Sequence, residues 1–401
     1  SAHPGETDTF RYAPSSSLRA MTDGTSPALF AAAAGESLYR WYDSQKFCGR
    51  CGARMEKSAV ERAMVCPHCK NTVYPKICPA VIVAVHDGDR LLLPGFIDLH
   101  VHGGGGADVM DGDGAIDTIA RTHVRHGTTS LLATTMTAPR DDLNSALKDV
   151  ARAMSDRQPG QARILGVHLE GPFISPDRLG AQPRCIRSAT TEEFNALNAL
   201  APIRVLTLAP EMAGHLDFIR YLRSVGVVPQ IGHSNGSYEE GVAALEAGAG
   251  GFTHLFNAMS QIGHRNPGLA GAVLSGDAGA GLIADGIHVH PAVMQLALSA
   301  RRNGVFLVTD CMAFAGTDLT EMELNGRQVL RRDGRLTLAD GTLAGADLTL
   351  PQAIATLVGQ VGITPDRALA MATSVPARLL GLSDSHGALL PGRKTEMVRL
   401  G

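Results

Sequence analysis

The sequence lacks the features that would place the protein in a membrane or on a nucleic acid. No apolar run approaches the roughly 18 residues of a spanning helix. The first residues, SAHPGETDTFRYAPSSS, lack the basic-then-apolar pattern of a secretory signal. The 36 Lys and Arg residues nearly balance the 39 Asp and Glu residues, so the formal net charge is only −3. We therefore expect neither a membrane nor a nucleic acid among the partners, and a cytoplasmic location.

Aromatic residues are also scarce, at 4% of the chain with a single Trp, whereas glycine is frequent at 45 residues. This composition favours an α/β enzyme with many tight turns over an all-β binding module. The 401 residues exceed one ordinary domain. They are enough for a barrel of about 250 residues and a smaller domain.

Cysteine is limited to seven residues, and four of them form two CxxC pairs. An odd count with paired motifs is typical of a reducing compartment and a metal site, and not of a disulfide framework. Two CxxC pairs, each forming a tight turn (a knuckle), predict a structural zinc bound by four thiolates. Such a zinc stabilises the fold and performs no chemistry. The ligands would be Cys48, Cys51, Cys66 and Cys69.

The segments LYRWYDSQKFCGRCGARM, CPHCKNTVYPKICPAVIVAV and DGDRLLL resemble the zinc-ribbon portion of NADH pyrophosphatases of the Nudix superfamily. The resemblance covers about residues 1–93, with the ribbon at about 46–76. In that family the ribbon precedes a glutamate-rich helix, G-x5-E-x7-REUxEExGU (U aliphatic), that binds the catalytic metal. This sequence contains no such motif, so we do not expect nucleotide pyrophosphate hydrolysis.

After Pro94 the pattern changes to short apolar runs that alternate with amphipathic segments. Examples of the runs are TTSLLATTM, ILGVHLEG and VVPQIGHS, and DDLNSALKDVARAMSD is one of the helical segments. About eight repeats of this alternation predict parallel βα units whose strands are buried on both faces. The sequence therefore predicts an α/β fold, a (β/α)8 TIM barrel over residues 94–380. A polar, hairpin-like insertion, GRQVLRRDGRLTLADGTLAG, interrupts the pattern.

Residue types that bind metals recur at the ends of the predicted strands. His100 and His102 alternate along one strand, so both side chains point the same way. A lone histidine on an apolar strand is more often a hydrogen-bonded core residue. The other predicted strand ends carry Glu170, His233, His254 and Asp310. Because strand ends converge at one mouth of a barrel, five such ends predict a shared metal site.

The motifs PGFIDLHVHGGGG, HLEGPFISP, GHSN, THLFNAM, RNPGLAGAVL, ADGIHV and LVTD resemble the N-acetylglucosamine-6-phosphate deacetylase family, a branch of the amidohydrolase superfamily of metal-dependent TIM barrels. The resemblance covers about residues 94–401. It implies hydrolysis of the acetamide of N-acetylglucosamine 6-phosphate to glucosamine 6-phosphate and acetate. It also implies a homodimer.

The same resemblance assigns roles to the strand-end residues. Glu170, His233 and His254 would bind the principal metal, and His100 and His102 a second one. Asp310 would act as general base and then as general acid. Zinc, iron or manganese would suit these ligands, as one or two ions, and the sequence does not choose among them.

The resemblance further implies the residues that hold the phosphosugar, which are Gln182, Asn257, the backbone at Ala258, Arg265 and His288. Arg265 would reach over from a neighbouring subunit. Gln182 stands where many family members have a histidine, and a glutamine can hydrogen-bond but cannot carry a proton. The alternatives are an Asp310 that caps a helix, an Arg265 that is an ordinary surface charge, and a His288 that lies in a surface loop.

The ends of the barrel region depart from the family, in which strands before the barrel pair with the C-terminal tail in a small β-sandwich. Here a zinc ribbon and one hairpin take that place. The sequence therefore predicts a fusion with its seam near Leu91–Pro94, and a truncated sandwich remnant over residues 381–401. We expect apolar surface to be left exposed there.

Two other functions compete with sugar-phosphate deacetylation. The first is another amidohydrolase-type reaction, such as hydrolysis of an N-acyl amino acid or a cyclic amide. The second is a zinc-ribbon binding protein that carries an inactive barrel, against which the metal-type ligands at five strand ends argue.

Overall fold

We analysed a computed structural model, which describes residues 41–61, 63–74, 85–87, 90–324, 326–390 and 395–400. The chain forms two compact units, Ser1–Val83 and Ala84–Gly401. The segment SPALFAAAAGESLYRWYDSQKF predicts one helix that ends near Trp41; its residues before 41 lie outside the described part of the chain, and residues 41–44 are helical. The segment CPAVIVAVHDGDRLLL predicts the hairpin, and its residues 78–84 also lie outside the described part. No helix in the described ranges is long and apolar enough to cross a bilayer.

The described part of the first unit is a small antiparallel sheet beside two cysteine knuckles. Its strands are Glu56–Lys57, Met64–Val65 and Thr72–Val73, paired in that order. The buried apolar residues that pack together here number only four, and two of them are cysteines: Cys48, Met55, Met64 and Cys66. So small an apolar core, within residues 41–74 as the structure describes them, supplies little stability by itself, and small domains of this kind commonly rely on a metal or another cross-link.

The second unit is built around eight parallel strands, which confirms the predicted barrel. Each strand pairs with its neighbours in chain order, as successive right-handed βα units require. Most strand residues are buried because helices cover the outer face. Strands β1 to β8 span Phe96–Val101, Thr128–Thr135, Arg163–Glu170, Ile203–Leu208, Val228–Ile231, Gly251–Phe252, Gly279–Leu282 and Val305–Leu307.

The barrel closes at the carboxyl end of its first and last strands. The Asp310 N–H donates to the His100 carbonyl at 2.9 Å, and the His102 N–H donates to the Cys311 carbonyl at 3.0 Å. Asp98, fully buried, accepts from the Thr309 hydroxyl at 2.6 Å and from the His100 N–H at 3.2 Å. Hydrogen bonds therefore join the first and last strands of the barrel at the level of the predicted ligands.

The helices bury one apolar face each against the barrel. The helix Arg140–Ser155 buries Leu143, Leu147 and Val150, which are spaced by four and three residues on one side. The helix Tyr238–Glu246 starts at a capping box formed by Ser237 and Glu240. Helices α1 to α10 span Ala115–Arg125, Arg140–Ser155, Thr191–Asn198, His215–Ser224, Tyr238–Glu246, Gly268–Ser275, Pro291–Ala300, Leu350–Thr356, Pro365–Ala372 and Ser374–Leu379, with a π-helical turn at Leu357–Val361.

Smaller sheets decorate the barrel. The predicted polar insertion is an antiparallel sheet of Glu321–Leu324, Arg327–Arg332 and Arg335–Leu338. The tail strand Met397–Leu400 pairs antiparallel with Arg90–Pro94, which in turn pairs with Val85–Asp87. The described tail therefore contributes a strand to a three-stranded sheet at the predicted seam.

Candidate metal centres

The four predicted cysteines of the first unit meet in one cluster, and their sulfurs all lie within 4.8 Å of one another. The Cys48 and Cys69 sulfurs are 3.6 Å apart, and those of Cys51 and Cys66 are 3.5 Å apart. Sulfurs bound at about 2.3 Å to a tetrahedral zinc are about 3.8 Å apart, so the cluster fits zinc closely. The N–H groups of Arg50 and Cys51 lower the pKa of Cys48 to about 6, which favours the thiolate that binds metal.

A second cluster lies at the mouth of the barrel and joins three strand ends. The His254 Nε2 is 3.2 Å from Glu170 Oε1 and 3.3 Å from His233 Nε2, and His233 Nε2 is 3.3 Å from the same carboxylate oxygen. Ligands about 2.1 Å from a tetrahedral ion lie about 3.4 Å apart. The triangle therefore fits one divalent ion, and its three residues also line the cavity described below.

A third cluster lies beside it. The Nε2 atoms of His100 and His102 are 3.1 Å apart, and Asp310 Oδ1 lies 3.4 Å from the first and 3.3 Å from the second. These distances also fit one divalent ion. Asp310 was expected at a strand end that carries a metal-type residue, with a proton-transfer role from the family resemblance. The structure places one of its oxygens among the candidate ligands, beside His100 and His102.

Glu170 connects the two barrel clusters. Its Oε1 faces His233 and His254, and its Oε2 is 3.2 Å from His102 Nε2. Burial opposes ionisation, but His100 and His233 beside it hold the pKa of the Glu170 carboxyl well below its usual range. Burial likewise opposes ionisation of Asp310, yet His100 and His102 lower its pKa to about 2. Both carboxylates are therefore charged at neutral pH.

Backbone carbonyls fix the orientation of the histidine ligands. The Nδ1 atoms of His102, His233 and His254 lie 3.1, 2.8 and 3.1 Å from the carbonyl oxygens of Thr134, Arg178 and Asn257. A carbonyl can only accept, so in each ring Nδ1 carries a proton, and Nε2, which faces the cluster, is the atom that a metal would bind. These partners are main-chain atoms, and no side-chain motif in the sequence reveals them.

The backbone is strained where the ligands lie. His233, His254 and Asp310 have positive φ angles of 47°, 31° and 50°, as does Ala258 at 47°. Each such non-glycine residue costs about 1–3 kcal/mol, which the surrounding structure must offset. Gly171, directly after Glu170, also has a positive φ of 72°, and a Cβ there would lie 2.0 Å from the Thr137 hydroxyl. The glycine of the HLEGP motif is therefore required by both geometry and space.

A buried polar chain that includes His168 lies beneath the clusters. His168 Nδ1 donates to the Leu99 carbonyl at 2.9 Å, and its Nε2 lies 2.7 Å from the Thr207 hydroxyl, which contacts Thr253 at 2.7 Å. The His168 ring also packs edge-on against His100, with centroids 4.6 Å apart. Burial lowers the pKa of His168 well below its usual value, so this histidine is neutral and acts as support.

A cavity of about 260 Å³ opens above the barrel clusters. Four predicted substrate residues line it, namely Gln182, Asn257, Ala258 and His288. His288 Nδ1 is held by Asp285 Oδ2 at 2.6 Å, which leaves Nε2 for a ligand. Arg265 does not line the cavity of its own chain; it is exposed and contacts His264.

Comparisons with known proteins agree with this geometry. The model of the amidohydrolase family matches residues 91–400, and that of the NADH pyrophosphatase zinc ribbon domain matches residues 43–74. The chain is 40% identical over 324 residues to an N-acetylgalactosamine-6-phosphate deacetylase of Escherichia coli O157:H7, covering 79% of this chain and 86% of that protein. It is 38% identical over 312 residues to an N-acetylglucosamine-6-phosphate deacetylase of Vibrio furnissii, covering 77% and 78%.

Among solved structures, the N-acetylglucosamine-6-phosphate deacetylase of Pasteurella multocida superposes with a TM-score of 0.74 at 30% identity. The match covers 84% of this chain and 88% of that one. The similarity therefore extends over nearly the whole of the relative, and includes the barrel and its mouth.

Proposed function

The chain belongs to the amidohydrolase family, and from that membership we propose that it hydrolyses the acetamide of N-acetylglucosamine 6-phosphate to glucosamine 6-phosphate and acetate. The observation that carries the proposal is the pair of ligand triangles joined by Glu170 at the floor of one cavity. The names of the relatives supply the substrate class.

The chemistry requires a stronger electrophile and a stronger nucleophile than an amide and water provide. A divalent ion, when bound, polarises the carbonyl and lowers the pKa of a coordinated water to about 7. Glu170, His233 and His254 would hold the principal ion, and His100, His102 and one oxygen of Asp310 a second one. Zinc, iron and manganese all suit these ligands.

Asp310 is placed to move the proton. It lines the cavity and is ionised at neutral pH, so it can accept a proton from the attacking water. The protonated carboxyl would then donate that proton to the nitrogen of the leaving amine, which leaves poorly without it. The second carboxylate oxygen is available for this exchange while Oδ1 faces His100 and His102.

The far side of the cavity would hold the sugar phosphate. Asn257, the Ala258 N–H and His288 line that side. Asp285 raises the pKa of His288 despite the opposing effect of burial, so its ring favours the cationic form that pairs with an anion. We propose that Arg265, exposed and outside its own cavity, completes the phosphate site of the other subunit in a homodimer.

A second substrate has support of its own. The relative with 40% identity is named for N-acetylgalactosamine 6-phosphate, the epimer at C4, whose acetamide and phosphate are the same. Both hexosamine phosphates should therefore be assayed side by side. We also propose a cytoplasmic location, since the four thiolates of the ribbon require a reducing compartment.

The decisive experiment combines acetate release with metal analysis on the wild type and on Asp310→Asn. We expect the variant to keep the ion held by Glu170, His233 and His254, and to lose turnover by about 10²- to 10⁴-fold, the usual contribution of general acid–base catalysis. Asp217→Asn is the matched control, because Asp217 is an exposed carboxylate on α4.

Two results would contradict the proposal. Unchanged turnover in Asp310→Asn would remove that residue from the mechanism. Absence of acetate release from both hexosamine phosphates, in wild-type protein with its metal bound, would reject the deacetylase function itself.

A further inference from the structure

Gln182 makes contacts that its predicted role as a substrate ligand does not explain. It is buried, with 5% of its surface exposed. Its Nε2 donates to Glu170 Oε2 at 2.7 Å, and its Oε1 accepts from the Thr137 N–H at 2.7 Å. Because a backbone N–H can only donate, the carbonyl end of the amide must face Thr137. The amino end is thereby directed at Glu170.

The position of Glu170 gives this contact its importance. Glu170 is the residue that faces both barrel clusters, through Oε1 on one side and Oε2 on the other. A carboxylate that can rotate would present its oxygens to the two clusters in varying positions. The hydrogen bond from Gln182 fixes the plane of the carboxylate and leaves the second lone pair of Oε2 free.

The loop that carries Gln182 orients another ligand as well. In residues 178–182, the Arg178 carbonyl accepts from His233 Nδ1 at 2.8 Å. The loop is held in turn by Arg327 of the insertion sheet, whose Nη1 donates to the Ala181 carbonyl at 2.8 Å. One loop therefore orients two of the three ligands of the principal cluster.

We propose that Gln182 is a positioning residue, which orients Glu170 so that its carboxylate serves both metal sites of the barrel. The inference rests on the proposed metal sites, and not on the identity of the substrate. Gln182 is neutral at every accessible pH, so it orients the shared carboxylate without adding a charge or a titration to the site. The rival role is a contact from its second N–H to the substrate.

The test uses Gln182→Leu, which removes the amide at similar size, and measures binding of Mn²⁺ to the full chain with the ribbon already loaded with zinc. Thiolates have little preference for Mn²⁺, so the signal reports the barrel. Free Mn²⁺ is measured by electron paramagnetic resonance. We expect the dissociation constant to rise by about 10- to 100-fold, the usual effect of removing a residue that orients a ligand.

The chain offers a closely matched control in Gln161. It is also buried, accepts from the Gln158 N–H at 2.8 Å, and donates to the Asp117 carboxylate at 3.0 Å. Gln161→Leu loses the same kinds of bond away from the clusters. We expect its Mn²⁺ affinity to stay within about twofold of the wild type, since Asp117 contacts no metal ligand.

The outcomes separate the two roles. Weakened Mn²⁺ binding in Gln182→Leu alone supports the proposal. Wild-type Mn²⁺ binding with a raised KM would overturn it in favour of a substrate contact, and equal weakening in both variants would overturn it in favour of general destabilisation. A wild type without acetate release would leave the Mn²⁺ comparison valid and reject only the proposed reaction.

A second variant keeps the proposal testable if Gln182→Leu does not fold. Arg327→Met removes the bond that holds the loop at Ala181 without changing the cavity floor. We expect a rise in the Mn²⁺ dissociation constant in the same direction but smaller, about two- to fivefold, because Gln182 itself remains. An unchanged Mn²⁺ dissociation constant in this variant would contradict the proposal that the loop carrying Gln182 orients the metal ligands.

Discussion

The two units of the chain offer ligands for a divalent ion in opposite ways. The ribbon takes four thiolates from a stretch of 22 residues, Cys48 to Cys69, and offers the ion no free position. The barrel gathers its ligands from His100 to Asp310 and leaves its clusters open to a cavity. A closed site holds structure, whereas an open site admits substrate.

The units also differ in what holds them together. Among the residues that the structure describes, the core of the ribbon has four buried apolar residues, whereas the barrel has two extensive clusters of buried side chains between its strands and helices. We infer that the ribbon needs its ion to fold and that the barrel needs its ions only to work. Three experiments test this difference between the units.

Glu170→Ala should have the largest effect. The variant removes the one carboxylate that faces both barrel clusters, so we expect loss of barrel metal and a fall in turnover of at least about a thousandfold, because both carbonyl polarisation and water activation depend on the ion. The barrel should remain folded. Metal analysis, acetate release and circular dichroism would measure the three quantities.

The control for Glu170→Ala is Glu193→Ala, which removes a carboxylate that pairs with Arg187 at 2.7 Å and belongs to none of the metal-type clusters. Its metal content and turnover should equal those of the wild type. If the barrel unfolded in Glu170→Ala and not in the control, the barrel ions would be structural. The ribbon and the barrel would then not differ in their need for metal.

Cys66→Ser should affect the ribbon alone. The apparent binding free energy of a structural zinc is about 10–16 kcal/mol, which is large beside the stability of so small a unit. We therefore expect one zinc fewer per chain, rapid proteolysis within residues 41–74, and turnover within about twofold of the wild type. Cys185→Ser, at a thiol outside the clusters, should keep the zinc. A loss of turnover comparable to that of Glu170→Ala would contradict a purely structural ribbon.

Asn71→Ala should have the smallest effect. The Asn71 Nδ2 donates to the Cys48 sulfur at 3.7 Å, so it plays in the ribbon the part that we assign to Gln182 in the barrel. We expect zinc affinity to fall by about tenfold in a chelator competition, with the ribbon still folded when zinc is saturating. An unchanged affinity would show that thiolates, unlike the barrel carboxylate, need no orienting amide.

The sequence predicts the ribbon and the barrel for different reasons. The cysteine spacing is local, so the four ligands follow directly from the two CxxC motifs. The barrel ligands are far apart, yet the ends of parallel strands must converge, so all five strand ends could be assigned to one site once the strands had been recognised. The family resemblance then grouped Glu170, His233 and His254 around one ion. In both cases a general geometric rule connects position in the chain to position in space.

The sequence does not predict features that depend on the path of loops and backbone. Gln182 contacts the Thr137 N–H and the Glu170 carboxylate because of how the loops pack, and no sequence periodicity encodes that packing. The same holds for the carbonyls that orient the histidines. The placement of Asp310 beside His100 and His102 depends on how the last strand of the barrel meets the first. Arg265 was expected to reach the phosphate site of a neighbouring subunit, and its position outside the cavity of its own chain leaves that expectation a prediction.

The closure of the barrel at Asp98, Thr309 and Asp310 has a consequence for biosynthesis. The ribbon has all its ligands once residue 69 has been made, but the barrel lacks its last one for another 241 residues (310 minus 69). At about 5–20 residues per second, that delay is about 10–50 s. During this interval the ribbon of the nascent chain can bind zinc, whereas the metal clusters of the barrel cannot form until the final strand has been synthesised.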